Sequence, residues 1–532
     1  MEVTQQMPLS VQWLAIQAPF NQLYLQPMTK KVRVRFAPSP TGGLHLGGVR
    51  TVLYNYLFAR HHGGEFVLRI EDTDQTRFVA GAEQYIMDCL QWCGLIPDES
   101  PFHGGAYGPY RQSERKPMYR LYAEQLVKDG HAYYAFDTTA DLDKKRSDIA
   151  NFQYSMHTRS HMSNSLTLDS AEVQRLLDAG TPHVIRIKMP ANEEVVFTDM
   201  IRGVVTVNAS MVDDKVLLKA DGMPTYHLAV VVDDYLMKIT HAFRGEEWLP
   251  SAPVHILLWK YLFGLENMPQ WAHLPLILKP DGNGKLSKRD GDRLGFPVFA
   301  MNWTDPKTNE LTKGFREIGF LAEAFVNMLA MLGWNDGTEQ EIFTLKELAD
   351  KFSIDRVHKG GAKFDFEKAK WFNHEWIKRS DVNELKAFVH NNLQSQHIEV
   401  KDDALLVKVI ALVKDRCTFL TDFAQQSSFF FATPVQYDMD SVKPKWTGQK
   451  ALFFAELVRQ FQLMQQWVVE DLEKEFKELA AANQIKPGEV LAPFRIMLVG
   501  GKFGPGVFDI AALIERDETI LRIEQFIKLI NT

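Results

Sequence analysis

The stretch Val32–Asp74, VRVRFAPSPTGGLHLGGVRTVLYNYLFARHHGGEFVLRIEDTD, predicts a strand, a loop, a helix and a second strand in succession. Apolar residues alternate with arginines in Val32–Phe36, which is the two-residue period of a strand. Apolar residues at helical spacing follow the loop, and Gly63 and Gly64 are typical of a helix end. Phe66–Ile70 then returns as an apolar strand. We therefore expect a βαβ unit of a parallel sheet, which binds ligands beyond the carboxyl ends of its strands.

The loop between this strand and this helix places a histidine beside two glycines, in His45-Leu46-Gly47-Gly48. Glycine allows a nucleotide to approach the backbone closely, and a helix N-terminus offers unpaired N–H groups to an anion. Taken alone, the pattern is more often a capping histidine and a turn. A second element far along the chain, Lys285-Leu286-Ser287-Lys288-Arg289, favours a shared phosphate site, because it lies in a polar loop after the apolar strand predicted at Leu274–Leu278.

The two elements resemble the His-Ile-Gly-His and Lys-Met-Ser-Lys-Ser signatures of class I aminoacyl-tRNA synthetases. The resemblance to bacterial-type glutamyl-tRNA synthetases is carried by FAPSPTGGLHLGG, LRIEDTDQTRF, GPYRQSER, MPTYHLAVVVDD, FRGEEWLPSAP and KLSKRDGD. It extends from about Val32 to the C-terminus and is denser before about residue 375. It implies ligation of L-glutamate to tRNA(Glu) with ATP and Mg²⁺, and a requirement for tRNA during amino-acid activation.

The order of elements and the resemblance together predict an α/β fold. We expect a Rossmann-type parallel sheet catalytic domain with an inserted α+β acceptor-binding domain, followed by an all-α C-terminal anticodon-binding region. The expected boundaries are 1–30 for an N-terminal extension without a fold, 31–104 and 216–300 for the two halves of the catalytic domain, 105–215 for the inserted domain, 301–380 for a stem-contact helical domain, and 381–450 and 451–532 for two anticodon-binding helical domains.

Periodicity predicts the individual elements. Helices are expected at Ala82–Cys93 and Pro117–Gly130, an irregular surface insertion at about 137–170, and strands at HAYYAF, HVIRIKM, EVVFTDM and GVVTVN. We expect the sheet to resume at Thr225–Asp234. Later helices are expected at Phe320–Leu332, Leu345–Phe352, Val382–Leu393, Ala404–Phe419, Leu452–Phe476 and Val507–Ile530.

Composition sets the class of protein. A chain of 532 residues, 45% hydrophobic and 24% charged, is typical of a multidomain protein, and no apolar run reaches membrane-spanning length. Its cysteines are Cys89, Cys93 and Cys417, which excludes a disulfide framework and predicts a cytoplasmic protein. Some members of the family that the chain resembles carry a cysteine zinc site in the acceptor-side region. Since no cysteine lies between Cys93 and Cys417, we expect no zinc. No other metal-ligating residues are predicted. The net charge of −7 argues against a generally basic nucleic-acid binder, so tRNA must meet local basic surfaces. A monomer is expected.

The chemistry of glutamate activation requires positioning and charge neutralisation rather than a protein nucleophile. The predicted catalytic residues are His45, Lys285, Ser287 and Lys288, with Lys288 the preferred pyrophosphate ligand. The alternative for this loop is a solvated basic segment. By resemblance, the ATP-binding residues are His45, Gly47, Gly48, Glu247, Trp248, Ile277, Lys285, Lys288 and Arg289.

Glutamate presents two carboxylates and an ammonium group, so its pocket needs cations and an anion. The predicted glutamate-binding residues are Arg35, Ala37, Ser39, Glu71, Tyr226 and Arg244, with one arginine on the side-chain carboxylate. Each could instead be structural, for example Arg35 on a strand surface or Tyr226 in the core. The family commonly has asparagine where this chain has Val230, which leaves one substrate contact open.

Arg416 occupies the position at which discriminating members carry an anticodon-reading arginine, and the alternative is a surface arginine paired with Asp415 or Asp422. Three other functions are compatible with parts of the sequence. They are a glutamyl transferase that acts on queuosine-modified tRNA, a catalytically silent tRNA-binding paralogue, and a small-molecule nucleotidyltransferase. The long helical C-terminal region and intact His45, Lys285 and Lys288 favour the glutamate–tRNA ligase, and whether it also charges tRNA(Gln) stays open.

Overall fold

The computed structural model describes residues 31–531, so the prediction for residues 1–30 lies outside the described residues. The strands in the described range are β1 (Arg33–Phe36), β2 (Glu65–Leu68), β3 (Ala132–Ala135), β4 (Val184–Ile187), β5 (Glu194–Asp199), β6 (Gly203–Asn208), β7 (Val216–Leu218), β8 (His241–Gly245), β9 (Gln270–Leu274), β10 (Ile277–Leu278), β11 (Trp303–Thr304), β12 (Leu311–Thr312) and β13 (Ala362–Lys363).

The α-helices in the same range are α1 (Leu46–His61), α2 (Ala82–Trp92), α3 (Lys116–Lys128), α4 (Thr139–Asp148), α5 (Ser170–Asp178), α6 (Tyr226–Leu236), α7 (Ala252–Leu262), α8 (Lys288–Leu294), α9 (Ala322–Met331), α10 (Leu345–Lys351), α11 (Phe366–Arg379), α12 (Val382–Ser395), α13 (Asp403–Val413), α14 (Asp422–Ser427), α15 (Met439–Val442), α16 (Gly448–Leu463), α17 (Val469–Ala482), α18 (Pro487–Val499) and α19 (Val507–Ile530).

The βαβ unit predicted from Val32–Asp74 is confirmed. β1 pairs in parallel with β2, and α1 connects them with its apolar residues buried. The chain leaves the helix through Gly63, whose φ of +60° is a left-handed conformation that glycine adopts without strain. The spacing of apolar residues and the paired glycines were therefore sufficient to place this unit.

A six-stranded sheet in the order β2–β1–β8–β9–β5–β6 organises the first part of the chain. β1 pairs in parallel with β2 and β8, and β8 pairs in parallel with β9. Their carboxyl ends consequently meet at one edge, where the loops converge. The hairpin β5–β6 extends this sheet, because β5 pairs in parallel with β9 where Asp199 lies opposite Trp271. The sequence analysis placed this hairpin in the inserted region 105–215.

The strand predicted at Thr225–Asp234 is wrong, because this segment forms helix α6 instead. Its run of buried residues, Leu228–Asp234, is apolar on every side except for two terminal carboxylates. A fully buried helix and a buried strand share that pattern, and the β-branched valines favoured the wrong choice. The sheet resumes later, at β8.

The strand predicted at Leu274–Leu278 is interrupted. β9 ends at Leu274, Pro275 follows, and β10 pairs with β13 rather than with the main sheet. Proline cannot donate to a strand ladder, which accounts for the break.

The inserted region contains a separate antiparallel sheet, β3–β4–β7. The irregular insertion expected at about 137–170 is wrong in part, since α4 lies within it. The helix starts with a capping box, in which Thr138 and Asp141 satisfy each other's backbone N–H groups. All its side chains lie outside the core, so apolar periodicity could not indicate it.

The C-terminal region is helical, as predicted, and the helices pack around a second apolar core. The single helix expected at Leu452–Phe476 is wrong, because α16 ends at Leu463 and α17 begins at Val469. The helix expected at Ala404–Phe419 ends at Val413, and a 3₁₀ turn follows it. Helices α11, α14, α15 and α18 lie outside the predicted set. In the described range, no helix is long and apolar enough to cross a bilayer. Cys89, Cys93 and Cys417 are buried free thiols.

Candidate active site

A cavity of about 750 Å³ opens at the carboxyl ends of β1, β2, β8 and β9. It brings together nearly all site residues predicted from the sequence. Those that line it are Arg35, Ala37, Ser39, His45, Gly47, Gly48, Glu71, Tyr226, Arg244, Glu247, Trp248, Ile277, Lys285, Ser287 and Lys288. The histidine loop and the lysine loop therefore face one cavity, although they are far apart in sequence.

His45 is the N-cap residue of α1, and its Nδ1 accepts a hydrogen bond from the Gly47 N–H at 3.3 Å. Because Nδ1 accepts, the ring proton lies on Nε2. Nε2 is buried and has no hydrogen-bond partner among the described residues. Burial, reinforced by the positive charge of Lys285, lowers the pKa of His45 to about 4. The ring is therefore a neutral N–H donor held in the cavity wall.

The two glycines lie inside the first turn of α1, not before it. A Cβ on Gly48 would meet Leu44 Cδ1 at 2.8 Å, so a larger residue there would require the Leu44 side chain to move. A Cβ on Gly47 would meet no described atom closer than His45 Nδ1 at 3.9 Å. Packing does not demand glycine at position 47, which is consistent with close approach of a ligand. The first turn also lacks acidic residues, so its positive end is available to an anion.

Lys285, in the loop before α8, and Lys288, the first residue of α8, each make an exposed ion pair. Lys285 Nζ lies 2.7 Å from Glu247 Oε1, and Lys288 Nζ lies 3.3 Å from Glu310 Oε2. Such pairs contribute about 0–1 kcal/mol, so a triphosphate can replace them readily. The carboxylate of Glu247 holds the Lys285 side chain at the cavity.

Ser287 and Arg289, from the same motif, do not present a free donor to the cavity. Ser287 caps α8, and its hydroxyl donates to Asp290 Oδ2 at 2.5 Å, so that the hydroxyl proton is already used within the chain. This hydrogen bond, with the backbone N–H of Ser287, lowers the pKa of Asp290. Arg289 is exposed and does not line the cavity.

Arg244 lies at the end of β8 with 7% of its surface exposed. Its Nε donates to His273 Nε2 at 2.9 Å, and its Nη1 donates to the Tyr226 hydroxyl at 3.0 Å and to His255 Nδ1 at 3.1 Å. Nη2 is buried without a hydrogen-bond partner in the described part of the chain. An arginine in a cavity wall with a buried, unpartnered N–H group is suited to a ligand carboxylate.

Arg35 is also buried but already has an anionic partner. Its Nε donates to Asp234 Oδ1 at 3.2 Å, and Arg69 donates to the same oxygen at 2.8 Å. Burial acts to raise the pKa of Asp234, but the two guanidinium groups outweigh it and the pKa is lowered. Arg35 therefore brings less unpaired positive charge to the cavity than Arg244 does.

Glu71, just after β2, accepts from Arg69 Nη2 at 3.2 Å and is 8% exposed. Burial raises the pKa of Glu71, although Arg69 and Arg35 act to lower it. A buried carboxylate of this kind is stabilised by an additional cation, such as the ammonium group of an amino acid.

The remaining wall of the cavity is aromatic and apolar. The rings of Tyr226 and Trp248 lie 4.6 Å apart, and Trp248 is 43% exposed, so it is a surface rather than a core residue. Val230 lies one turn after Tyr226 on α6, is 3% exposed, and also lines the cavity. It presents an apolar side chain to the cavity, where an asparagine would present an amide.

Sequence reasoning missed the buried groups behind these residues. One of these groups is Asp233, which accepts hydrogen bonds from Arg115 at 2.7 Å and from Gln112 and Tyr119 at 2.9 Å each. The others are His255 and His273, which contact Arg244. The Asp233–Asp234 pair was a usable signal, because adjacent carboxylates after a fully apolar run must find buried partners. No local pattern pointed to the two histidines.

Arg416 lies far along the chain in a 3₁₀ turn after α13 and is exposed. Asp422, one of its two alternative partners, accepts from the backbone N–H groups of Thr418 and Phe419 instead. Burial and the nearby charge of Arg416 lower the pKa of Arg495 on α18. The positive charge of Arg416 therefore acts on Arg495, although the two residues are far apart in sequence.

Within residues 31–531, no group of three or more His, Cys, Asp and Glu side chains is placed to hold a metal ion. The absence of zinc stays a prediction from the cysteine positions.

Comparison with known proteins gives two family matches. Residues 31–371 match the catalytic domain of class I tRNA synthetases (E and Q), and residues 380–527 match an anticodon binding domain. The chain is 49% identical over 503 residues to the glutamate–tRNA ligase of Parabacteroides distasonis and 50% identical over 503 residues to that of Phocaeicola vulgatus. Each match covers 94% of this chain and 99% of the relative.

Solved structures agree with the sequence matches. A crystal structure of a glutamate tRNA ligase from Elizabethkingia meningosepticum in complex with its amino acid superposes with a TM-score of 0.90 at 47% identity, covering 94% of this chain and 99% of that one. A glutamate-tRNA synthetase structure from Elizabethkingia anophelis gives 0.87 at 47% identity, with 94% and 100% covered.

Proposed function

The chain belongs to the class I tRNA synthetases of the glutamate and glutamine group, and we infer that it is a glutamate–tRNA ligase. The enzyme joins L-glutamate to the 3′-terminal adenosine of tRNA(Glu), and ATP is cleaved to AMP and pyrophosphate. The observation that carries the assignment of this cavity as the active site is that His45 and Lys285–Lys288 line it together with Arg35 and Arg244.

ATP is bound between the histidine loop and the lysine loop. A glutamate carboxylate oxygen attacks the α-phosphorus, the bond to the bridging oxygen breaks, and pyrophosphate leaves. His45 Nε2–H donates to the phosphate region, while Lys285 and Lys288 neutralise the leaving pyrophosphate. Mg²⁺ belongs to the ATP substrate, and when bound it would neutralise charge on the triphosphate.

Glutamate is bound deeper in the cavity. Arg244 takes the side-chain carboxylate, because its described partners are all neutral and its Nη2 is unpartnered. Glu71 takes the ammonium group, and Ala37, Ser39 and Tyr226 complete the pocket. Arg35 also contacts the substrate. Its positive charge there is partly neutralised by its ion pair with Asp234, which also fixes the position of the Arg35 side chain. Val230 supplies an apolar wall.

Transfer to tRNA uses the rest of the chain. The inserted region, 105–215, receives the acceptor end, and residues 301–380 contact the stem. Residues 381–450 and 451–532 bind the anticodon region, and Arg416, in the first of these two domains, reads the anticodon. The 3′-terminal adenosine hydroxyl attacks the glutamyl-adenylate, and AMP leaves. The proposal also places the enzyme in the cytoplasm, where tRNA is charged, and takes it to act as a monomer.

Two assays test the proposal. Glutamate-dependent ATP–pyrophosphate exchange is measured with and without tRNA, and labelled glutamate is then offered with purified tRNA(Glu) and tRNA(Gln). We expect exchange that requires tRNA, and charging of tRNA(Glu). No exchange in the presence of tRNA favours the silent paralogue, and exchange without charging of tRNA(Glu) favours the transferase that acts on queuosine.

A further inference from the structure

The environment of Arg244 differs from that of other buried arginines near the cavity. Arg69 and Arg115 each donate to buried aspartates, at 2.8 Å to Asp234 and 2.7 Å to Asp233. Arg244 instead donates to two imidazole nitrogens and a phenol. The guanidinium therefore keeps its positive charge uncompensated by any direct partner among the described residues.

The first imidazole is fixed by a carboxylate behind it. His273 is fully buried on β9, and its Nδ1 lies 2.6 Å from Asp199 Oδ2. Since Nε2 must accept from Arg244, the proton lies on Nδ1 and is donated to Asp199. Burial lowers the pKa of His273 despite that carboxylate, and Arg244 adds to the lowering. His273 is thus a neutral acceptor, and Asp199 acts on Arg244 only through it.

The second imidazole is fixed by another histidine. His255 on α7 accepts from Arg244 at Nδ1, and its Nε2 lies 3.1 Å from His227 Nδ1. Burial, followed by the charge of Arg244, lowers the pKa of His255 well below its usual range. Burial also lowers the pKa of His227 to about 4. The two rings form a neutral chain that ends at the guanidinium.

Two features offset the cost of an unpaired buried cation. The guanidinium lies over the Trp271 ring at 4.9 Å, which is a cation–π contact, and each of the three described acceptors receives a hydrogen bond. The group is therefore held firmly without being neutralised.

We propose that His255 and His273 are positioning residues that make Arg244 prefer the side-chain carboxylate of glutamate over the amide of glutamine, because they hold the guanidinium with neutral acceptors. The proposal rests on the function inferred above. A guanidinium already paired with a carboxylate gains little more from a carboxylate than from an amide oxygen. An uncompensated one gains the full charge–charge interaction from the carboxylate alone. The selectivity therefore resides in what surrounds Arg244 as much as in Arg244 itself.

The decisive comparison changes the charge at one acceptor and keeps its hydrogen bond. His255→Asp places a carboxylate against the guanidinium, and His255→Asn places a neutral oxygen there. In tRNA-dependent ATP–pyrophosphate exchange, the KM for glutamate and the inhibition constant for glutamine are measured for both variants. We expect the preference for glutamate over glutamine to fall at least about tenfold in His255→Asp and to stay within about threefold in His255→Asn.

A third variant keeps the proposal testable if His255→Asp does not fold. His255→Leu removes the acceptor without adding charge, so the KM for glutamate should rise about tenfold while the KM for ATP changes less than about threefold. Folded, active variants with the wild-type preference and the wild-type KM for glutamate would overturn the proposal. Absence of glutamate-dependent exchange in the wild-type enzyme would instead overturn the function on which it rests.

Discussion

The Nδ1 atom of His45 accepts the backbone N–H of Gly47 at 3.3 Å, and this contact leaves the ring proton on the buried Nε2. One side chain thereby caps α1 and presents a donor to the cavity. The two tasks can be separated by mutation, because capping needs only a short acceptor, whereas donation needs the full reach of the ring.

His45→Asn should separate them. Asparagine is a good N-cap, so the free energy of unfolding should change by less than about 1 kcal/mol. The glutamate activation rate should fall by ~10²–10³, the typical cost of losing one preorganised donor. Pre-steady-state adenylate formation and urea unfolding measure the two quantities. A rate within about threefold of wild type would show that Nε2 does not act on the phosphates.

Lys288→Ala should lower the activation rate by ~10²–10³, since the lysine is proposed to neutralise departing pyrophosphate. ATP–pyrophosphate exchange gives the rate. Lys307→Ala, on a neighbouring exposed loop outside the cavity lining, is the matched control and should change the rate less than about threefold. If both alanine variants behave alike, Lys288 has no specific role.

The Arg35→Met and Arg244→Met variants should differ in their effects on the free energy of unfolding and on the KM for glutamate. Loss of Arg35 removes one of two cations from buried Asp234, which keeps Arg69 as a partner. The fold should therefore lose less than the about 3–5 kcal/mol that a fully unpaired buried charge costs. Loss of Arg244 leaves only neutral acceptors unpaired, which costs about 1–3 kcal/mol, but it should raise the KM for glutamate far more than the KM for ATP. Urea unfolding and steady-state kinetics compare them. Equal KM increases for ATP and glutamate in Arg244→Met would contradict a glutamate-specific contact.

Arg416→Gln should make the enzyme accept tRNA(Gln) more readily relative to tRNA(Glu), because an arginine reads a base edge with donors that glutamine presents differently. Aminoacylation of the two purified tRNAs gives the ratio. Arg459→Gln is the control, since Arg459 is exposed on α16 and pairs with Glu456. An unchanged ratio in Arg416→Gln removes this residue from anticodon reading.

Stability should fall as the pH drops from about 6.5 to about 4. Burial lowers the pKa of His45, His227 and His241 to about 4 each, so over this range the unfolded chain binds more protons than the folded one. These contributions to stability are complete above the unfolded pKa and are lost as the pH falls through this window. The free energy of unfolding is measured by urea titration at several pH values.

His241→Gln provides the internal comparison. His241 begins β8, at the opposite end of the strand from Arg244, and its pKa is lowered by burial and by His62. The variant should take up about one proton fewer on unfolding between pH values of about 4 and 6.5. An unchanged slope would mean that His241 does not titrate with unfolding.

Much of the fold followed from local patterns. Alternation placed β1, glycines placed the end of α1, and helical spacing placed most of the C-terminal region, because each pattern reports which face of a segment is buried. The same reasoning misassigned α6, where burial on every side removes any periodicity. It also missed α4, whose start is determined by the Thr138–Asp141 capping box rather than by an apolar face.

The motifs already contain main groups that line the cavity, namely His45, Lys285, Lys288, Glu71 and both arginines. The charge and protonation of these groups, in contrast, depend on how the chain folds around them. Arg35 meets Asp234 from α6, while Arg244 meets imidazoles from α7 and β9. Partners on different elements set the burial, the proton position and the unpaired charge of each group, and such long-range contacts leave no local pattern in the chain.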